Sequence, residues 1–140
     1  MPKASQAFID ALNEALSEEM ASAIQYLWHH IMARGLASPA ISDMLKELAM
    51  AEMRHGYSIA ERIDLLGGVP TTAIGAIKVG GDLPKMLKED LQAEVESIAI
   101  YRRLIVMAEQ EDDPVTRRLL EDILKDTEEH ARDLEAVLGE

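Results

Sequence analysis

The helical-period run from Ser38 to Leu66 carries Glu52-Met53-Arg54-His55 where its apolar face should continue. Leu45, Leu48, Ala49, Glu52, His55 and Ile59 recur at helical spacing and share one face. A carboxylate and an imidazole three residues apart thus point the same way, as two ligands of one metal ion would. Charged groups are seldom fully buried unless they are paired or bind a metal. The stretch therefore narrows the chain to helices that keep an ionisable layer inside a core, or to a Glu and His solvated at a bundle end. The other helices decide between these readings.

Three further runs show the same interruption. The first extends from about Ser5 to Arg34, with Phe8, Leu12, Leu16, Glu19, Ala23, Tyr26 and Ile31 near one face and Gly35 as its stop. Glu18 groups with Glu14, Ser22 and Gln25 on the solvent side, which leaves Glu19 to the interior. Ser38 and Pro39 supply an N-cap and first-turn proline for the second run, which ends at Gly67-Gly68. Asp82 caps the third, Leu83 to about Glu111, whose stripe is Leu87, Leu91, Glu94, Ile98, Tyr101 and Ile105. Asp113-Pro114 opens the fourth, which closes near Gly139 with the stripe Leu120, Ile123, Thr127, His130, Leu134 and Val137.

The short link between runs one and two makes those helices antiparallel neighbours. From Gly67 to Asp82 the periodicity lapses. Extended at about 3.3 Å per residue, that segment spans roughly 50 Å, and a helix of about 28 residues is roughly 42 Å long. It can therefore cross the bundle end to end, leaving helices two and three parallel. The expected fold is all-α: one domain over residues 1–140, a four-helix bundle with one long crossover between helices two and three.

Composition removes several function classes. The net charge is −12 and no basic cluster is gathered anywhere, which excludes nucleic acid as a partner. No apolar run approaches the roughly 20 residues that span a bilayer, and the opening Met-Pro-Lys-Ala-Ser-Gln has no secretory character. A soluble cytoplasmic protein without a membrane partner is expected. With no cysteine, zinc ribbons and thiol catalysis drop out, and any metal site is oxygen-rich. Singly, each buried Glu or His reads as a satisfied structural residue. Together, Glu19, Glu52, His55, Glu94 and His130 form a carboxylate and imidazole set of the kind that binds iron or manganese in a four-helix core.

The chain resembles the bacterioferritins of the ferritin-like superfamily from about Phe8 to Leu138. The resemblance rests on Leu12-Asn13 followed by Glu19 and Gln25-Tyr26, on Glu52-Met53-Arg54-His55, on Glu61-Arg62-Ile63 with Gly67-Gly68-Val69-Pro70, on Asp90-Leu91-Gln92-Ala93-Glu94, and on Asp126 to His130. It implies a ferritin-like bundle with a di-iron ferroxidase centre: Glu19 and His55 on one iron, Glu94 and His130 on the other, Glu52 bridging. It also implies that Met53, one from each of two subunits, ligates a haem at a dimer twofold. On its helix Met53 lies in the row Ala49, Met53, Gly56, Ala60, whose small residues admit a flat ligand or a second helix; packing of a dimer alone is the other reading.

Two departures stand out. Where the family carries a second Glu-x-x-His, this chain has Thr127, and a hydroxyl is a poor substitute for a bridging carboxylate. Glu128 lies roughly 200° around the helix axis from His130, whereas Asp126, four before His130, can ligate or orient that histidine. Asp90, four before Glu94, is a candidate to fix ligand orientation. The chain also stops just after the fourth run, where bacterioferritins usually continue into a fifth helix, so a smaller shell is an alternative to the full cage.

The expected activity is ferroxidase: Fe(II) is oxidised by dioxygen or peroxide and Fe(III) passes to a mineral inside a hollow homo-oligomer built on twofold dimers. Tyr26 is expected to supply an electron or a hydrogen bond near Glu19, and a ferredoxin-type donor is the expected partner for iron release. The alternatives are a manganese or iron peroxidase, and a haem-binding or structural bundle in which Thr127 marks a disabled centre.

Overall fold

A computed structural model describes residues 3–140; Met1 and Pro2, which begin the segment read as having no secretory character, lie outside the described residues. Four helices form: α1 Gln6–Met32, α2 Ser38–Leu65, α3 Leu83–Gln110 and α4 Pro114–Leu138. Each of three starts where a short polar side chain accepts a first-turn amide. Ser5 accepts from Phe8, Asp82 from Lys85, and Asp113 from Thr116. The start of α2 differs from expectation: Ala37 holds the cap position without a side-chain bond, and Ser38 is already helical beside Pro39. The amide of Ser38 bonds Gly35 O at 3.0 Å in the connecting turn, so the turn backbone satisfies that donor itself.

Helix α1 ends at Met32, short of Arg34. Ala33 leaves helical geometry, and the Arg34 guanidinium folds back to donate to Ile31 O at 3.0 Å and Ala33 O at 2.9 Å, satisfying carbonyls the helix end leaves free. At the end of α2, Gly67 takes φ +88°, the Gly67 amide bonds Asp64 O and the Gly68 amide bonds Ile63 O. Gly68 is close-packed there: a Cβ on it would lie 2.7 Å from Ile9 Cγ2 and 3.0 Å from Ile63 Cγ2.

Helices α1 and α2 pack as one antiparallel pair, α3 and α4 as another, and α1 also packs on α3. Segment 67–82 contains no helix and runs the length of the bundle outside α1. Asn13 Nδ2 donates to Val69 O at 3.0 Å and Asn13 Oδ1 accepts from Thr71 N at 2.8 Å. Further along, Gly75 N bonds Ser17 O and Lys78 N donates to Gln25 Oε1 at 2.9 Å. The predicted crossover between helices two and three is therefore present, and α2 and α3 run parallel.

This path corrects the reading of one face of α1. Ser22 and Gln25, assigned to solvent with Glu14 and Glu18, are buried, because the crossover and α3 cover them. Ile31 and Val137, assigned to the inward stripes, are 57% and 41% exposed near the ends of their helices. Most of the remaining stripe residues, joined by Ile63 and Leu104, form two apolar clusters. One holds Phe8, Leu12, Leu16, Ile59, Ile63, Tyr101, Leu104, Leu120 and Ile123; the other holds Tyr26, Leu45, Leu48, Leu87 and Leu134. At about 1.5–3 kcal/mol for each large side chain buried, these clusters fix the helices on either side of the ionisable layer. No helix among the described residues is long and apolar enough to cross a membrane.

Candidate metal centre

Between the two apolar clusters, all four helices send ionisable groups inward. Glu19 comes from α1, Glu52 and His55 from α2, Glu94 from α3 and His130 from α4. The three carboxylates are 2–3% exposed and His55 is 7% exposed. Two groups of three offer ligand atoms that lie within 4.8 Å of one another: Glu19, Glu52, His55 and Glu52, Glu94, His130. Glu52 belongs to both. The sequence-predicted set is thus brought together, with its predicted bridge in the shared position.

Helix direction sets the pairings. Because α1 and α3 run in opposite senses, Glu19 meets Tyr101, and two turns further along α1, Tyr26 meets Glu94. The Tyr101 hydroxyl donates to Glu19 Oε1, and the Tyr26 hydroxyl donates to Glu94 Oε1 at 2.6 Å. Tyr26 therefore bonds Glu94, not Glu19 as its proximity in sequence suggested. Tyr101, expected only as an apolar stripe residue, holds the position at Glu19. Its signal was in the sequence: Tyr101 follows Glu94 at the same interval as Tyr26 follows Glu19. Burial and the adjacent carboxylates push both tyrosines well above the usual phenol range, so they remain neutral donors.

Helices α2 and α4 also run oppositely. His130 Nδ1 lies 3.2 Å from Glu52 Oε1, and a turn earlier on α4, Asp126 Oδ2 lies 2.9 Å from His55 Nε2. Asp126 consequently orients the histidine across the bundle and makes no bond to His130, the residue it was expected to serve. The two imidazole rings lie near parallel with centroids 6.0 Å apart. Thr127 is buried and its hydroxyl donates to Ile123 O at 2.8 Å, one turn back on its own helix. It offers nothing to the centre.

The electrostatics are those of cation ligands held together. Burial, then the charges of Glu19 and Glu94, push the Glu52 carboxyl well above the usual carboxylate range. Burial also opposes ionisation of Glu19, but the closeness of Glu52, of the His55 imidazole and of the Tyr101 hydroxyl outweighs it and holds Glu19 low. For His55 burial disfavours the charged form, yet Glu19 and Asp126 raise it above its ordinary value. Glu19 Oε2 and His55 Nδ1 are buried without a hydrogen-bond partner and face each other at 3.5 Å. Two such atoms are costly unless a cation lies between them. Three carboxylates and two imidazoles fit a pair of divalent transition ions with open positions for a reactant.

Asp90 is buried and accepts from Gln25 Nε2 at 2.8 Å and bonds His29 Nδ1 at 2.9 Å. It touches no candidate ligand; it ties α3 to α1 one turn from Tyr26 and Glu94. Gln25 and His29 were not anticipated in this role. Met53 is 48% exposed on α2, next to exposed Met50 and Tyr57. The row of small residues around it does not form an open surface. Ala49 and Gly56 are buried, and Gly56 backs onto Met20 and Leu16 of α1.

The chain matches the Ferritin-like domain family over residues 9–140. It is 37% identical to "Bacterial ferritin" of Neisseria meningitidis serogroup B over 134 residues, which is 95% of this chain and 87% of that protein. It is 34% identical to "Bacterioferritin" of Mycobacterium leprae, across 91% of this chain and 81% of the relative. With "Bacterioferritin" of Desulfovibrio desulfuricans the identity is 32%, across 87% and 69%. Four helices, the one crossover, a carboxylate and histidine layer contributed by every helix, and these matches agree: the chain belongs to the bacterioferritin family of the ferritin-like superfamily.

Proposed function

We propose that the chain, acting as one domain, binds Fe(II) at the two ligand triads, oxidises it and delivers Fe(III) for storage within a hollow homo-oligomeric shell. The observation that carries this reading is the pair of triads sharing Glu52, with Glu19 Oε2 and His55 Nδ1 of the first triad buried and unpartnered. Iron is the substrate. Two Fe(II) each give one electron to a dioxygen, which leaves as hydrogen peroxide after taking up two protons; peroxide as oxidant takes up two electrons and two protons to give water. Tyr101 and Tyr26 hold Glu19 and Glu94 in orientation, and Asp126 holds His55. The apolar clusters on either side keep bulk water from the buried carboxylates.

Assembly has support in the outer face of the α1 and α2 pair, where Trp28, Ile31, Met50, Met53 and Tyr57 are exposed. That area is suited to burial against a second copy. On the same face Met53 presents its thioether, and a haem shared by two copies is the cofactor this residue would ligate. A Soret band lost in Met53→Leu supports haem, and protein that stays colourless after haem is supplied excludes it.

The decisive experiment is aerobic Fe(II) oxidation by metal-free protein at stepwise iron ratios against a protein-free blank. A fast phase saturating near two Fe(II) per chain, one for each triad, and lost in Glu52→Ala is the expected result. Oxidation no faster than the blank would overturn the ferroxidase reading and leave a haem-binding or structural role.

A further inference from the structure

The two halves of the centre are prepared for a metal ion to different degrees. In the first half, formed by Glu19, Glu52 and His55, one ligand atom each of Glu19 and His55 has no hydrogen-bond partner. Glu19 Oε1 is taken by Tyr101, which leaves Oε2 free; His55 Nε2 is taken by Asp126 Oδ2, which leaves Nδ1 facing inward. His55 Nδ1 lies 3.5 Å from Glu19 Oε2 and 4.0 Å from Glu52 Oε2. A cation with metal–ligand bonds of about 2.0–2.2 Å bridges atoms at that spacing with little movement. It breaks no hydrogen bond there and satisfies two buried atoms that have none.

The second half, formed by Glu52, Glu94 and His130, is closed on itself. His130 Nδ1 and Glu52 Oε1 are hydrogen-bonded to each other at 3.2 Å. Glu94 Oε1, 3.7 Å from the same nitrogen, is already the acceptor for Tyr26. A cation that uses His130 and Glu52 Oε1 must first break that hydrogen bond. Thr127 adds no ligand to compensate, because its hydroxyl is committed to Ile123 O.

Resting on the di-metal reading above, we infer that the centre fills in order, first at Glu19, Glu52 and His55 and then at Glu94 and His130, with Asp126 as the positioning residue of the first step and Thr127 as the reason the second is weak. One broken hydrogen bond and one missing bridging ligand set the second ion at least about tenfold weaker than the first. The chain thus differs from a centre in which two bridging carboxylates hold both ions alike.

The test is anaerobic titration of the metal-free full chain with Co(II), followed by visible ligand-field absorbance and by calorimetry, neither of which depends on oxidation. The wild type should bind one Co(II) tightly and a second at least tenfold more weakly. His130→Ala should keep the tight step and lose the weak one, while His55→Ala should lose the tight step. Thr127→Glu should bring the two steps to within a few-fold. Because His55→Ala removes a buried group, Asp126→Asn, on an exposed side chain, tests the same half: it should weaken the first step and leave the second. Two equal steps in the wild type, or loss of the tight step in His130→Ala but not in His55→Ala, overturns the order while the di-metal reading stands. Absence of any stoichiometric Co(II) overturns both.

Discussion

The Tyr26 hydroxyl on α1 donates to Glu94 on α3 at 2.6 Å, and Tyr101 on α3 returns the same bond to Glu19 on α1. The two helices exchange tyrosine for carboxylate across the centre. Each bond satisfies one oxygen of a buried acid. Removing either hydroxyl leaves that oxygen without a donor, at a cost of about 1–3 kcal/mol. Tyr26→Phe and Tyr101→Phe should each lower the unfolding free energy of the metal-free protein by that amount, seen as a lower urea midpoint, and the double variant by more than either alone. A midpoint unchanged in both single variants would show that the tyrosines merely fill space.

Stability of the metal-free protein should fall as pH rises through neutrality. Glu52 is raised well above the carboxylate range and His55 above the ordinary histidine value, so over this window the folded state binds more protons than the unfolded chain. Where the folded state binds more protons, unfolding free energy decreases with pH. Glu19, held low, acts in the opposite direction but in a separate acid window, below its unfolded value. Thermal melts in chelator between about pH 5 and pH 8 should show the decline, and Glu52→Gln should flatten it. A rising profile in the wild type would contradict the protonation assigned to Glu52.

At the other end of the bundle, Asp113 caps α4 through Thr116 N at 3.0 Å and pairs with Arg62 at 3.2 Å. Burial opposes ionisation there, but the Thr116 bonds and Arg62 outweigh it and hold Asp113 low. A depressed carboxyl contributes stability that is present above its unfolded value and lost as pH falls through the folded one. Asp113→Ala should cost about 1–2 kcal/mol at neutral pH and progressively less in acid, as pH falls below the ordinary aspartate value of about 3.9. Urea unfolding of variant and wild type at both pH values measures the difference; an equal loss at both would remove the carboxylate charge from the explanation.

Asn13 holds the start of the crossover by two side-chain bonds, to Val69 O and from Thr71 N. Asn13→Ala should release segment 69–80 locally while costing only about 1–2 kcal/mol globally. Hydrogen exchange should be faster at Thr71, Gly75 and Lys78, with the protected amides of α1 and α2 little changed. Unchanged exchange at Thr71 would mean that the crossover is held by its contacts near Gln25 instead.

Much of this was legible before the fold was known, because helical period and burial are one-dimensional signals. Glu19, Glu52, His55, Glu94 and His130 announced themselves by interrupting apolar stripes, and Pro, Gly and Asp marked helix ends to within three residues. Tyr101 carried a readable signal that apolar periodicity hides, since a tyrosine continues a stripe without interrupting it. Gln25 and Ser22 were misplaced for a different reason: a polar side chain on a helix reads as solvated until another segment is known to cover it.

The sequence by itself determined four amphipathic helices, a link long enough to cross between them and an acidic and imidazole layer midway along each, since these follow from spacing along single helices. Only the tertiary structure decided which group meets which. Opposed helix directions put Asp126 on His55, Tyr26 on Glu94 and His130 on Glu52. They leave Glu19 Oε2 and His55 Nδ1 facing each other without a partner. Those pairings depend on register between helices, and register is set by packing of two apolar clusters whose members lie far apart in the chain.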